Sequence, residues 1–328
     1  MSIPVTRLLA ALTLLLAFAT PAQAGSSAPR TASSVTETVI ETVIETVIEE
    51  RILDLTITSD LINVPGKVRL LLPDGYRKTS TRRWPVLWLL HGGGGAYTDW
   101  AVRGRVREIV GDREVLVVMP DSGPCSGYMD WKDPGIAPRK WESFHMGVLY
   151  DLLKNAYRAD DLQAIAGLSM GGGGAIGYAA RFPGRFRAAA SFSGALDNDY
   201  PGRPGLPSMT AIQSGALACG VTVEQIYGPV GGEHWNRYNP KHSIQALRGT
   251  RLYIATGDGQ AGTDPSGTGN PLLVDVVEQS VYGMAAQFTS KLGELGIPVR
   301  VNFKPFHRHD WPNWQGELER SIDFLLAP

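Results

Sequence analysis

The stretch LQAIAGLSMGGGGAIGYAARF, residues 162–182, joins a predicted strand directly to a predicted helix. The first seven residues are mostly apolar, as in a buried strand, and the residues from Gly171 onward favour a helix. Gly167 to Gly171 between them matches the pattern G-x-S-x-G. A sharp turn from strand to helix holds its serine in strained backbone, with the hydroxyl clear of the sheet. Ser169 is therefore a candidate nucleophile, and the alternative is a serine that only caps the helix.

Predicted strands and helices alternate along the rest of the chain. The predicted strands cover residues 51–58, 67–72, 85–91, 114–120, 186–192, 251–256 and 298–306, and the predicted helices follow Asp99 or cover 141–157, 272–295 and 314–326. This alternation predicts an α/β fold with a mostly parallel central sheet and helices on both faces. Residues 197–240 are rich in proline and glycine and predict an irregular insertion over one end of the sheet. We expect one domain, residues 51–328.

The N-terminal residues resemble an export signal. Arg7 precedes the apolar run Leu8–Ala19, and Ala22 and Ala24 have small-x-small spacing before Gly25. Residues 1–24 therefore predict a signal peptide cleaved near Ala24 and Gly25, since the apolar run is short for a membrane span. We expect a secreted or cell-envelope protein with no transmembrane segment in the mature chain; an uncleaved anchor is the alternative.

Residues 25–50 form a low-complexity leader that ends in the repeat ETVIETVIETVIEE. Its period is near helical, whereas threonine, valine and isoleucine favour strands, so the pattern leaves its structure open. We interpret the repeat as a spacer that runs into the first strand.

The composition argues against several classes of partner. The chain has 328 residues and a net charge of -1, with no basic block, so nucleic-acid binding is not expected. Gly172, Gly174 and Gly177 match G-x-G-x-x-G, but they lie in mid-chain, and we expect no dinucleotide or other cofactor. The two cysteines, Cys125 and Cys219, form a disulfide or remain buried thiols. Neither has a close ligand partner, so no metal site is expected.

A serine nucleophile needs a base, because its hydroxyl is only weakly acidic. His307 and His309 both follow the last predicted strand. His309 is farther from the strand end and directly precedes the final helix, so it is the favoured base, with His307 as the alternative.

The developing negative charge needs two backbone N–H donors. Met170, directly after the serine, is predicted to supply one. The glycine-rich loop HGGGG, residues 91–95, follows an early buried strand and is similar to the H-G-G-G loop of esterases. Gly93 is the candidate for the second donor, and Gly92 and Gly94 are its rivals.

Several stretches resemble the secreted mycolyltransferases of the antigen 85 complex and the wider esterase D branch of the α/β-hydrolases. They are VVMPDSGPCSGYMDW, KWESF, GLSMGGGGAIGYAARFPGRFRAAASFSGALD, IYGPVGGEHWNRYNP, LYIATGDGQ and HDWPNWQGEL. The resemblance runs in one order from about residue 51 to the C-terminus. It implies an α/β-hydrolase fold and acyl transfer through a serine ester.

The resemblance leaves two candidates for the acid that orients the histidine. In the mycolyltransferases the acid is a glutamate, which matches Glu278 in DVVEQSVY; in other esterase D relatives it is an aspartate after the strand, which matches Asp258. Both keep the order serine, acid, histidine. Glu278 falls at the edge of the apolar face of its predicted helix, a position that permits an inward role without requiring one. The resemblance favours Glu278, and Asp258 stays open.

The mycolyltransferases have L-D-G-L-R where this chain has LHGGGG, so a smaller ester than a mycolate of trehalose is expected. The favoured hypothesis is an exported serine carboxylester hydrolase acting on a small-molecule or lipid ester. One alternative is an acyltransferase that uses a sugar or glycerol hydroxyl. The other is a non-catalytic surface- or matrix-binding protein on the same scaffold. The candidate substrate-binding residues, some of which could equally be core aromatics, are His91, Gly92, Trp100, Trp131, Trp235 and Trp311.

Overall fold

The computed structural model describes residues 42–135, 138–201, 219–260 and 271–328, with side chains in the last range from residue 276. The predicted signal peptide and most of the predicted leader lie outside these residues, as does part of the predicted insertion. Among the described helices, none combines the length and the apolar character that crossing a membrane requires.

The fold is built on one nine-stranded sheet with the order β1-β2-β3-β5-β4-β6-β7-β8-β9. The strands from β4 to β9 run parallel, and β1, β2 and β3 extend the sheet in antiparallel fashion beyond β5. The strands are β1 Val43–Glu49, β2 Ile52–Ile57, β3 Gly66–Leu71, β4 Trp84–Leu90, β5 Leu116–Pro120, β6 Ala159–Leu168, β7 Ala188–Phe192, β8 Arg251–Gly257 and β9 Val299–Lys304. The predicted mostly parallel α/β sheet is confirmed.

The helices cover both faces of the sheet. Side chains from one strand alternate between two apolar clusters: Trp88 and Leu90 face one cluster, and Leu87 and Leu89 face the other. The helices are α1 Asp99–Val102, α2 Val106–Val110, α3 Trp141–Ser143, a π-helical segment Phe144–Leu149, α4 Tyr150–Ala156, α5 Met170–Arg181, α6 Val223–Tyr227, α7 Glu233–Tyr238, a 3₁₀ segment Pro240–Leu247, α8 Pro271–Glu294 and α9 Trp311–Leu326.

The expected domain boundary at residue 51 is too late. Val43–Glu49, the end of the repeat, forms the edge strand β1 and pairs with β2 in antiparallel register. The β-branched residues therefore adopt the strand that their side chains favour once a partner strand supplies the hydrogen bonds.

Two helices differ in detail from the sequence prediction. The predicted helix over 141–157 is continuous, but its middle turn, Phe144–Leu149, is π-helical. The last helix begins at Trp311 rather than at residue 314, because the Asp310 side chain caps it by accepting from the N–H of Asn313 and Pro312 suits its first turn.

Candidate active site

Ser169 occupies a strained turn between β6 and α5. Its φ is 53° and its ψ is -121°, and its side chain makes no helix-capping hydrogen bond. A Cβ at Gly167 would lie 2.2 Å from the carbonyl oxygen of Gly171, and one at Gly171 would lie 2.5 Å from that of Leu90. The flanking glycines are therefore required by close packing of the turn. The Ser169 hydroxyl therefore does not cap α5, and this turn leaves it available for contacts within the site.

The structure brings three of the predicted side chains into one hydrogen-bonded chain. Ser169 Oγ lies 2.9 Å from Nε2 of His309, and Nδ1 of His309 lies 2.6 Å from Oε2 of Glu278. In the tautomer that activates a serine, Nδ1–H donates to the carboxylate and Nε2 accepts from the serine hydroxyl. Ser169 lies 140 positions before His309 in the sequence, and Glu278 lies 31 positions before it. The three residues nevertheless meet at the carboxyl ends of the parallel strands.

Glu278 is fully buried, and its second oxygen is held by three donors. Oε1 accepts from the N–H of Gly257 at 2.5 Å, from Oγ1 of Thr256 at 3.0 Å and from Oγ of Ser193 at 2.8 Å. The first two donors belong to the end of β8 and the third follows β7. This cradle fixes the orientation of the carboxylate that faces the histidine.

Ser193, which belongs to this cradle, and Trp314 beside it were not identified from the sequence. Ser193 has a φ of 50°, and its Oγ accepts from the indole Nε1 of Trp314 at 3.2 Å. The same indole packs edge-on against the His309 imidazole, with ring centroids 5.0 Å apart. The only sequence signal was position, since Ser193 directly follows a strand next to the one that carries the nucleophile.

Asp258 lies in a turn and supports the backbone. Its Oδ1 accepts from the N–H of Phe306 at 2.9 Å and from that of Gln260 at 3.0 Å. The imidazole of His309 is bonded to Glu278, whereas Nδ1 of His307 lies 2.8 Å from the carbonyl oxygen of Pro305. Of each pair of candidates, the structure joins Glu278 and His309 to Ser169.

The glycine-rich loop lies over the first turn of α5. A Cβ at Gly92 would lie 3.4 Å from Cβ of Ser169, and one at Gly93 would lie 3.9 Å from Cβ of Met170. The carbonyl oxygen of Gly93 accepts from the N–H of Cys125 at 3.1 Å, which anchors the loop. The backbone of Gly93 and Met170 therefore borders the nucleophile.

Two cavities meet at Ser169. The first has a volume of about 190 Å³, and most of its wall is apolar. Its side chains come largely from residues 125–129 and 226–240 and from α8, and include Met129, Ile226, Tyr227, Tyr238, Val277, Val281 and Met284. The second has a volume of about 300 Å³ and is lined by residues 92–95, Asp99, Arg103, Leu168, Ser169, His309, Asp310, Trp311, Pro312 and Trp314.

Two of the predicted substrate-binding residues, Gly92 and Trp311, line the second cavity. His91 lines neither cavity, and its ring is buried. Its Nδ1 lies 2.7 Å from the carbonyl oxygen of Gly92, and its Nε2 accepts from the N–H of Ser122 at 3.2 Å. His91 thus supports the glycine-rich loop from behind.

The other three predicted tryptophans are also absent from the described cavity walls. Trp100, Trp131 and Trp235 are buried, and each indole N–H donates to an acceptor within the protein: the carbonyl oxygens of Leu90 and Ser126 and a carboxylate oxygen of Asp199, respectively. These three tryptophans are therefore core aromatics, which is the alternative to a role in substrate binding. Their internal acceptors satisfy the N–H groups, as buried indoles require.

Cys125 and Cys219 form a disulfide, and Cys125 lines the first cavity. The glycines that imitate a dinucleotide motif serve packing instead. A Cβ at Gly172 would lie 2.8 Å from Cα of Gly194, and one at Gly174 would lie 2.7 Å from the ring of Tyr128.

Comparisons with known proteins identify the family of this chain. The model of the Esterase family matches residues 59–325. Esterase Rv1288 of Mycobacterium tuberculosis is 34% identical over 250 residues, which are 71% of this chain and 50% of that protein. The chain therefore spans about half the length of this relative. The diacylglycerol acyltransferase/mycolyltransferase Ag85A of Mycobacterium gordonae is 32% identical over 262 residues, 73% of each chain.

The crystal structure of Mycobacterium tuberculosis MPT51 has the same fold. It superposes with a TM-score of 0.67 at 21% identity, over 83% of this chain and 96% of that one. The resemblance to the antigen 85 and esterase D branch is thus confirmed by sequence relatives and by fold. The chain belongs to the Esterase family of α/β-hydrolases, whose relatives here carry the names of esterases and acyltransferases.

Proposed function

We propose that this protein is an exported serine carboxylester hydrolase that works through an acyl-enzyme intermediate. The observation that carries the proposal is the unbroken hydrogen-bonded chain from Ser169 through His309 to Glu278, with separations of 2.9 and 2.6 Å. A nucleophile bonded to a base, which is bonded to an orienting acid, is the arrangement that serine acyl transfer requires.

In the proposed first half-reaction, Ser169 Oγ attacks the ester carbonyl carbon and its proton passes to Nε2 of His309. The carbonyl electron pair moves onto oxygen, where the N–H groups of Met170 and Gly93 stabilise the negative charge. Glu278 stabilises the imidazolium that forms. The tetrahedral intermediate then expels the alcohol oxygen, which takes the proton from Nε2, and the acyl group remains on Ser169.

In the second half-reaction a water molecule gives a proton to Nε2 and attacks the acyl-enzyme carbonyl. The same N–H groups stabilise the second oxyanion. Its collapse breaks the bond to Oγ, which recovers the proton from His309, and the free acid leaves. In this proposal the apolar first cavity holds the acyl group, and the second cavity admits the alcohol and the water.

A fluorophosphonate probe and p-nitrophenyl esters test the proposal together. We expect stoichiometric labelling of the wild type, and a loss of both labelling and roughly 10⁴-fold or more of kcat in Ser169→Ala. Ser191→Ala is the matched control, because Ser191 is a buried serine on the neighbouring strand β7 and lies outside the proposed machinery. Labelling that persists in Ser169→Ala would refute the proposal.

Acyl transfer to an alcohol is the second candidate function. Two observations favour it: the relative Ag85A is named an acyltransferase, and a second cavity of about 300 Å³ opens beside Ser169 and His309. A sugar or glycerol hydroxyl in that cavity would replace the attacking water. Product analysis with glycerol or sugar acceptors separates the two reactions, and free acid as the only product would exclude transfer to those acceptors.

We also propose export through the N-terminal signal, to the medium or the cell envelope. The support is the pattern of Arg7, the apolar run and the small-x-small site, together with a disulfide, which is typical of oxidising compartments. Mass spectrometry of the secreted protein should find an N-terminus near Gly25. A mature chain that retains residues 1–24 would contradict cleavage.

A further inference from the structure

We infer that the first cavity selects acyl groups whose far end carries a hydrogen-bond acceptor, such as a carboxylate or keto oxygen. The inference rests on the function proposed above, because it takes the cavity beside Ser169 as the acyl site. Most of the cavity wall is apolar, but two side chains on it, Arg181 and Asn198, carry N–H donors.

The helix α5 separates Arg181 from the nucleophile, because Ser169 directly precedes its first residue and Arg181 is at its other end. It is the last residue of α5, and its guanidinium folds back beside Gly177, where a Cβ would lie 2.8 Å from Nη1. Gly177 is eight residues beyond Ser169, which at 1.5 Å per residue is about 12 Å along the helix. The missing side chain at Gly177 leaves room for the guanidinium at that depth.

The guanidinium is held rigidly and still has donors to spare. Its side chain is only 10% exposed, its Nε donates to Oε2 of Glu142 at 2.5 Å, and it stacks over the ring of Tyr238 at 4.6 Å. Within the described ranges, no residue accepts a hydrogen bond from its Nη groups. Glu142 fixes the orientation of Arg181 and leaves the outer N–H groups for a ligand.

Asn198 supplies the second observation. It is 3% exposed, and its backbone N–H donates to Oδ1 of Asn239 at 3.2 Å, which fixes its position. Its side-chain Nδ2 is buried and finds no acceptor among the residues that the structure describes. The phenol of Tyr227 lies near this amide but outside hydrogen-bonding geometry. A buried donor without an acceptor is destabilising, and an oxygen of a ligand would satisfy it.

The two donors change which acyl group is favoured. Val277, Val281 and Met284 on α8 can cover the methylene groups of an acyl chain. A plain alkyl chain that filled the cavity would displace water from Arg181 and would leave the N–H groups of Arg181 and Asn198 unpaired. Sites built to bond a polar group reject analogues that lack it for this reason. A terminal oxygen would supply the kind of acceptor that these side chains lack.

Matched p-nitrophenyl esters test the inference. One series carries a terminal carboxylate, a second carries a keto group near the end, and a third is plain alkyl with the same number of heavy atoms, each over a range of lengths. At the best length we expect kcat/KM for an oxygen-ended ester to exceed that of its alkyl partner by about 10- to 100-fold. The keto arm shows whether a neutral acceptor suffices. Alkyl esters hydrolysed equally well at every length would overturn the inference.

Two variants locate the preference, and a third is the control. Asn198→Leu keeps the volume and removes the amide, and Arg181→Met removes the guanidinium; each should lower the oxygen-to-alkyl ratio of kcat/KM by about tenfold. Arg237→Met should keep the ratio, because Arg237 also approaches Glu142, at 3.7 Å, but lies outside the cavity wall. A ratio unchanged in Asn198→Leu would overturn the inference even if Arg181→Met does not fold.

Fluorophosphonate labelling separates this inference from the proposed function. If Ser169 is labelled but the enzyme shows no preference for oxygen-ended esters, the inference is rejected and the proposed hydrolase function stands. Unlabelled Ser169 rejects the proposed hydrolase, and the inference with it.

Discussion

At the scale of single residues, the structure distinguishes two acids that the sequence left in competition. Glu278 reaches His309 from α8 while three donors hold its other oxygen. Asp258 uses Oδ1 to bind the backbone of Phe306 and Gln260. One carboxylate is committed to the imidazole and the other to the turn, although both lie close to the end of the same strand.

Glu278→Gln should therefore damage catalysis far more than Asp258→Asn. An amide cannot accept both from Nδ1–H and from the three donors at Oε1, so the imidazole loses its orientation and its tautomer. We expect kcat to fall by about 10³- to 10⁴-fold in Glu278→Gln and by less than about tenfold in Asp258→Asn. Steady-state kinetics on one p-nitrophenyl ester, with circular dichroism to check folding, measures both. A reversed order would assign the acid to Asp258.

At the scale of elements, the connection from β6 to α5 depends on close contact with β4. A Cβ at Gly171 would lie 2.5 Å from the carbonyl oxygens of both Leu90 and His91. The helix can start beneath the nucleophile only because this side of its first turn carries no side chain. Gly147, inside the π-helical segment, has open space where its Cβ would be.

Gly171→Ala and Gly147→Ala should accordingly have opposite effects on stability. The first forces the helix away from β4, and we expect it to lower the free energy of unfolding by about 1–3 kcal/mol and to weaken activity. The second removes backbone freedom without a clash, and we expect no loss and a gain of up to about 1 kcal/mol. Urea unfolding of both variants is the measurement. Equal effects would show that the contact with β4 is not limiting.

At the scale of the whole molecule, one covalent link spans a large part of the fold. The Cys125–Cys219 disulfide closes a loop of 94 residues, which includes β6, α5 and β7. Cys125 is also hydrogen-bonded through its N–H to the glycine-rich loop at Gly93. The link therefore ties the segment before the helices α6 and α7 to the border of the site.

Removal of this link should destabilise the protein through its unfolded state. For a loop of this length the chain-entropy model gives about 4–5 kcal/mol. We expect the double variant Cys125→Ser, Cys219→Ser to melt at a lower temperature than the wild type and to be insensitive to dithiothreitol. The reductant should lower the melting temperature of the wild type towards that of the variant. A wild type unaffected by reduction would contradict a stabilising disulfide.

Much of the fold was predictable because its signals are local. Apolar runs such as those of β5 and β6 mark buried strands, and alternation with helices implies a parallel sheet. The structure of the repeat stayed open, because it forms the edge strand β1 only with β2 beside it. The sequence also left open whether Trp100, Trp131 and Trp235 line a pocket or the core, because burial depends on tertiary packing.

The sequence by itself determined the fold class and the family. It also made Ser169 and His309 the candidates for nucleophile and base, because the elbow pattern and the histidine after the last strand are local features. Only the tertiary structure decided which acid faces the histidine, since Glu278 approaches from a helix whose periodicity permits several orientations. It also decided what lines the cavity beside Ser169. The sequence marks Arg181 only as the end of a predicted helix. In the structure Gly177, Glu142 and Tyr238 position its guanidinium, and Arg181 lines that cavity.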